Sequence, residues 1–124
     1  MFTLNPITGA DERVIEASWG LGEAVVAGLV VPDHWEIDPT GRVLVYRAGD
    51  KDIALRSAPN GGTVEEELPE ELASLPCLSD DQLAQLNELA RRCEAHFGRG
   101  LDIEWAFAGA DLFLLQCRPM TVGR

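Results

Sequence analysis

Residues 102–119, DIEWAFAGADLFLLQCRP, constrain the fold more than any other part of the chain. Apolar and polar side chains alternate with the strand period on both sides of a Gly-Ala-Asp break, the pattern of a β-hairpin with one buried face. Asp102, Glu104 and Ala106 share one face of the first strand, and Ile103, Trp105 and Phe107 share the other. A two-residue turn at Gly109-Ala110 would set Glu104 against Leu115, mixing polar and apolar faces. A three-residue loop, Gly109-Ala110-Asp111, sets Phe107 against Phe113, Trp105 against Leu115 and Ile103 against Cys117, giving one apolar face. Burial favours that register.

The same register places Glu104 opposite Gln116 and Asp102 opposite Arg118. Directly opposite residues have Cβ atoms about 5 Å apart. A carboxylate oxygen and an amide oxygen at that spacing can share a hard cation such as Mg²⁺, which takes few protein oxygens and completes its shell with water and phosphate. Arg118, two residues on, is suited to a forked phosphate contact. The competing reading is a solvent-facing hairpin carrying an Asp–Arg pair.

Upstream, the chain holds one long helical pattern at about 79–97. Ser79 with Gln82 makes a capping box, and Asp80 and Asp81 suit the positive end of the helix. Leu83, Leu86, Ala90, Cys93 and Phe97 recur at three- and four-residue spacing and predict one buried stripe, with Gly98 as the stop. Residues 2–4, 13–17, 34–37, 42–47 and 52–57 read as short strands, the last three as a meander. TVEEEL reads as an edge strand guarded by its glutamates. WGLGEAVVAG, near residue 20, suggests about two helical turns. Strands, then a helix, then a hairpin predict an α+β fold with a largely antiparallel sheet, in a single domain spanning residues 1–124.

A net charge of −11 disfavours nucleic acid and anionic membranes as partners. No apolar run approaches the ~20 residues of a membrane span, and no signal peptide opens the chain. Cys77, Cys93 and Cys117 lack metal-ligand spacing and read as reduced thiols of a cytoplasmic protein. Lys51 is the only lysine beside nine arginines. A chain opening on the apolar segment Met1–Leu4 reads as a piece of something larger, with apolar surface suited to self-association or a partner chain.

Six stretches taken together resemble the nucleotide-binding domain shared by phosphoenolpyruvate synthases, pyruvate phosphate dikinases and rifamycin phosphotransferases. They are FTLNPITG (2–9), IEASWGLGEAVVAGLVVPD (15–33), the Gly49-Asp50-Lys51 turn, GGTVEEELP (61–69), EAHFGRGLDIEWA (94–106) and LLQCRPMT (114–121). The resemblance implies the C-terminal lobe of an ATP-grasp domain, with ATP and Mg²⁺ as ligands. Glu104 and Gln116 would be the metal ligands and Arg118 the phosphate contact, on the positions the hairpin had already selected.

Lys51 falls on the family's G-x-K turn, as either a phosphate contact or an exposed turn lysine. Gly20, Gly22 and Glu23 lie in its GLGE motif, either a loop under the nucleotide or a tight strand-to-helix connection. Glu16 and Asp33 sit in family motifs without an assignable role. Cys117 stands where relatives often have serine.

The N-terminal lobe, the phosphohistidine domain and the acceptor-binding domain of the family are not in this sequence, and neither His34 nor His96 sits in a phosphohistidine motif. The resemblance therefore implies a lobe that does not turn over alone. In the whole enzyme it would serve conversion of ATP, pyruvate and water to AMP, phosphoenolpyruvate and phosphate. A rifamycin phosphotransferase fragment and a non-catalytic nucleotide-binding or interaction module are the alternatives.

Overall fold

A computed structural model describes residues 1–20 and 28–121. The described elements are β1 (Arg13–Ala17), β2 (Asp33–Ile37), β3 (Val43–Arg47), β4 (Ile53–Ser57), β5 (Thr63–Glu67), α1 (Glu70–Ser74), α2 (Asp80–Phe97), β6 (Leu101–Ala108) and β7 (Asp111–Pro119). This is the expected α+β class with one long helix. The strands do not form one sheet: β1-β2-β3 pair in that order, β4 pairs with β5, and β6 pairs with β7, the last two pairs antiparallel. The expected meander therefore ends at β3, because residues 53–57 take TVEEE as their partner, Leu55 facing Glu65. The GLGEAVV part of the expected short helix lies outside the described residues. No described helix is long and apolar enough to cross a membrane.

The chain divides into two compact units. One comprises Met1–Ile15, Trp35–Val45 and Ser79–Arg124, and the other comprises Glu16–His34 and Tyr46–Leu78.

In the first unit, α2 begins at Ser79, whose hydroxyl accepts from the Gln82 amide at 3.2 Å while the Gln82 side chain accepts from the Ser79 amide at 2.9 Å. Both bonds of the expected capping box are present. The helix ends at Gly98, whose N–H donates to the Glu94 carbonyl. Leu83, Leu86, Ala90 and Cys93 are buried as the periodicity predicts. Phe97, expected on the same stripe, is 67% exposed, so the buried stripe stops one turn before the helix does. Ala90 and Cys93 pack on Leu101 and Ile103 of β6, with Met1, Leu89, Trp105 and Cys117 around them.

The segment read as a strand at residues 2–4 contributes a single bridging residue. Phe2 bridges Val14 on one side and Asp102 on the other. Thr3 donates from its amide to the Leu101 carbonyl, and its hydroxyl accepts from the Leu101 amide. Arg13 lies buried beside it. Its guanidinium donates to the Thr3 carbonyl at 3.0 Å and the Asn87 side-chain oxygen at 3.3 Å, and pairs with Glu94 at 3.0 Å. A buried guanidinium with this many acceptors is a structural tie between the chain start and α2. Sequence patterning did not reveal it, because its partners are distant in sequence.

Candidate functional site

The hairpin joins β6 to β7 through the two residues Gly109 and Ala110, with Ala108 opposite Asp111. This corrects the expected three-residue loop. From the turn inward Phe107 faces Leu112, Ala106 faces Phe113 and Trp105 faces Leu114. The register then shifts between Glu104 and Trp105, leaving Leu115 as the extra residue of a β-bulge. Beyond it Glu104 faces Gln116, Ile103 faces Cys117 and Asp102 faces Arg118, as the sequence reading required. A tight turn with glycine at positive φ, here 61°, matches the natural strand twist, and one bulged residue restores facial order. Without the bulge, Gln116 would face Ile103 and point its amide towards the buried face.

Glu104 and Gln116 are both exposed, and neither side chain makes a hydrogen bond or ion pair among the described residues. Arg118 is 64% exposed, and its Nη2 lies 3.4 Å from Asp102 Oδ2. An exposed pair of that length contributes at most about 1 kcal/mol, leaving most of the guanidinium's donors available. One face of the hairpin thus presents a carboxylate opposite an amide, with a guanidinium two residues on. No cluster of three or more His, Cys, Asp or Glu residues suited to a metal occurs among the described residues. A metal here would rest on the Glu–Gln pair and on oxygens from its ligand.

Lys51 and Gly20 belong to the second unit. Lys51 is not an exposed turn lysine. It is fully buried, and its Nζ donates to Asp33 Oδ1 at 2.6 Å. Asp33, also fully buried, accepts from the Gly49 amide at 2.7 Å on the same oxygen and from the Cys77 amide at 2.8 Å on the other. Burial pushes the Asp33 carboxyl up. The Gly49 amide, the Lys51 ammonium and the Cys77 amide outweigh it and hold the group below its usual value. The same carboxylate, after burial itself, drives the Cys77 thiol up to about 12. Asp33, to which sequence reading assigned no role, is therefore the hub tying the start of β2 to the Gly49-Asp50-Lys51 turn and to residue 77. A sole lysine matched with an acid after Pro32 was the available signal.

Gly20 adopts φ 74°, and a Cβ there would stand 2.6 Å from the Leu55 carbonyl oxygen. The close approach is to β4, the packing role that glycine permits. Gly22 and Glu23 lie outside the described residues. Trp19, next to Gly20, donates from its indole to the Leu72 carbonyl at 2.8 Å. Nδ1 of His34 lies 3.2 Å from Glu16 Oε2, while His96 is exposed in the last turn of α2.

The model of the pyruvate phosphate dikinase AMP/ATP-binding domain matches residues 1–124. This chain belongs to that family of dikinase-type nucleotide-binding domains. It is 46% identical over 122 residues to a probable phosphoenolpyruvate synthase of Methanothermobacter thermautotrophicus, an alignment covering 98% of this chain and 18% of the relative. A probable phosphoenolpyruvate synthase of Archaeoglobus fulgidus is 40% identical over 125 residues, covering 100% of this chain and 16% of the relative. A rifampicin phosphotransferase of a Streptomyces species is 42% identical over 123 residues, covering 98% and 14%. The chain thus spans less than a fifth of the length of these relatives.

Proposed function

We propose that this chain is the ATP- and Mg²⁺-binding C-terminal lobe of an ATP-grasp domain, working within a dikinase-type phosphotransferase of the cytoplasm. The observation that carries this reading is the polar face of the hairpin, where Glu104 faces Gln116 and Arg118 follows. The donor set fits the ion: one carboxylate and one neutral carbonyl oxygen, unspent on other described side chains, suit a hard cation that keeps most of its shell for water and phosphate. Mg²⁺, when bound, would neutralise charge on the nucleotide's phosphate oxygens.

The chain's own residues then have separate tasks. Glu104 and Gln116 hold the metal from opposite strands, so their separation is fixed by the ladder rather than by a loop. Arg118 turns from Asp102 towards phosphate and offsets charge there through parallel N–H donors. Lys51, spent on Asp33, supports the fold of its own unit, and Gly20 lets its loop approach β4. Catalysis here is positioning and charge neutralisation, the usual protein contribution to phosphoryl transfer.

For the acceptor, reached through other parts of a whole enzyme, pyruvate is favoured, in keeping with the probable phosphoenolpyruvate synthases among the relatives. The rifampicin phosphotransferase relative supports the antibiotic as the second reading.

Calorimetric titration of the chain with Mg²⁺-ATP tests the site. Binding in the parent that disappears in a Glu104→Ala, Gln116→Ala double variant supports it. Equal binding in both chains refutes it, and no binding by the parent favours a non-catalytic module.

A further inference from the structure

Cys93 and Cys117 occupy one small volume of the first unit. Cys93 is buried on α2 in a cluster with Ala90, Leu101 and Ile103, and Cys117, half-buried on β7, packs against that cluster across from Ile103. Both are free thiols. Burial pushes the Cys93 thiol up to about 11, with the neighbouring Cys117 thiol adding to the effect. Cys117 is flanked in sequence by Gln116 and Arg118, whose side chains take the opposite face of the strand.

We propose that Cys93 and Cys117 form a reversible disulfide that weakens nucleotide binding at the hairpin. This rests on the reading of Gln116 and Arg118 as metal and phosphate contacts. Joining the thiols requires an S–S bond of about 2.05 Å, with Cα atoms about 4.4–6.8 Å apart. The bond draws β7 towards α2 at the one residue lying between the two ligand contacts. A small shift there changes the Glu104–Gln116 separation and the reach of Arg118 together.

A peroxide serves as the oxidant. The more accessible Cys117 sulfur attacks a peroxide oxygen and breaks the O–O bond, and the thiol's proton goes to the departing hydroxide, giving a sulfenic acid and one water. The Cys93 thiolate then attacks that sulfur, forming the S–S bond and displacing hydroxide, which takes up a proton as the second water. The two thiols lose two electrons and two protons, and the peroxide is reduced to two waters. The buried, poorly acidic Cys93 is the slow partner, which sets the order of the steps.

The test uses the chain carrying Cys77→Ala, so that a single pair remains. It is treated with hydrogen peroxide, analysed by intact mass and peptide mapping, and titrated with Mg²⁺-ADP before and after. Loss of two hydrogens, a linked peptide pair joining residues 93 and 117, and roughly tenfold weaker nucleotide binding, all reversed by dithiothreitol, are expected. A Cys117→Ser companion should bind Mg²⁺-ADP normally, lose no hydrogens and keep its affinity after peroxide. Oxygen added at either cysteine without the link overturns the proposal, as does a link that leaves affinity unchanged. A reduced chain that binds no Mg²⁺-ADP overturns the nucleotide reading and, with it, the proposed effect on binding. That outcome is distinguishable because it appears before oxidant is added, while the mass analysis still decides whether the bond forms.

Discussion

Replacing Lys51 with methionine separates a structural lysine from a phosphate ligand. Methionine keeps most of the apolar stem and removes only the charge and its donors. In the folded chain the ammonium sits 2.6 Å from Asp33, with both side chains fully buried. Breaking one partner of such a pair costs about 3–5 kcal/mol, chiefly because the other charge stays buried. Asp33 would retain the Gly49 and Cys77 amides, so the cost should fall at the lower end, about 3 kcal/mol. With a urea m-value of about 2 kcal/mol/M, the unfolding midpoint drops by roughly 1.5 M. Fluorescence of Trp19, Trp35 and Trp105 follows the transition, and calorimetry with Mg²⁺-ATP under folding conditions reads binding. The expected result is a large loss of stability with affinity little changed in the folded fraction. A midpoint within about 0.2 M of the parent, together with lost nucleotide binding, would refute the reasoning and return Lys51 to the phosphates.

Three further outcomes follow from the same geometry. The Asp33 carboxyl titrates below its usual value of 3.8. The stability it contributes is therefore complete above the unfolded value and lost as pH falls through the lower folded one. Urea midpoints measured from pH 5 downward should show this loss beginning only below about pH 4, and an Asp33→Asn chain should lack that part of the acid dependence. Changing Gly49 to alanine would place a Cβ 2.0 Å from the Val31 carbonyl oxygen. Thermal unfolding should show a destabilisation of about 2 kcal/mol or more, and an unchanged midpoint would contradict the packing. Arg118→Lys removes the forked donor set but only a weak exposed pair, so stability should move by no more than about 0.5 kcal/mol while Mg²⁺-ATP affinity falls several-fold; equal affinity would remove Arg118 from the site.

What could be read from the sequence was what short-range physics decides. The start of α2 follows from Ser79 and Gln82 three residues apart, and both reciprocal bonds form. The buried stripe followed from periodicity as far as Cys93, but periodicity cannot say where neighbouring strands run out, so Phe97 was misassigned. On the hairpin, alternation was sufficient to pair Glu104 with Gln116 and Asp102 with Arg118. It was not sufficient for the turn, since burial alone favoured an even ladder, and the chain instead keeps its tight turn and absorbs one residue at Leu115. Long-range pairing was the least visible. The partnership of β4 with β5 depends on a choice between two plausible neighbours. The Asp33–Lys51 pair joins residues 18 apart through burial that no local pattern reports. Arg13 is hidden for the same reason, its guanidinium being completed by Thr3, Asn87 and Glu94.

The bulge at Leu115 also divides the hairpin into two mechanical provinces. The tip, from Trp105 through Leu114, keeps its own count from the turn, while the polar face keeps its count from the root of the strands. An irregular residue between them works like a slip joint. Changes in the length or sequence of the tip can be taken up there without reaching Glu104, Gln116 and Arg118. Related chains should then tolerate varied tips, even ones differing by a single residue, so long as one strand keeps a position free to buckle. The residue that satisfies no partner in the ladder is the one that lets the rest of the site hold its alignment.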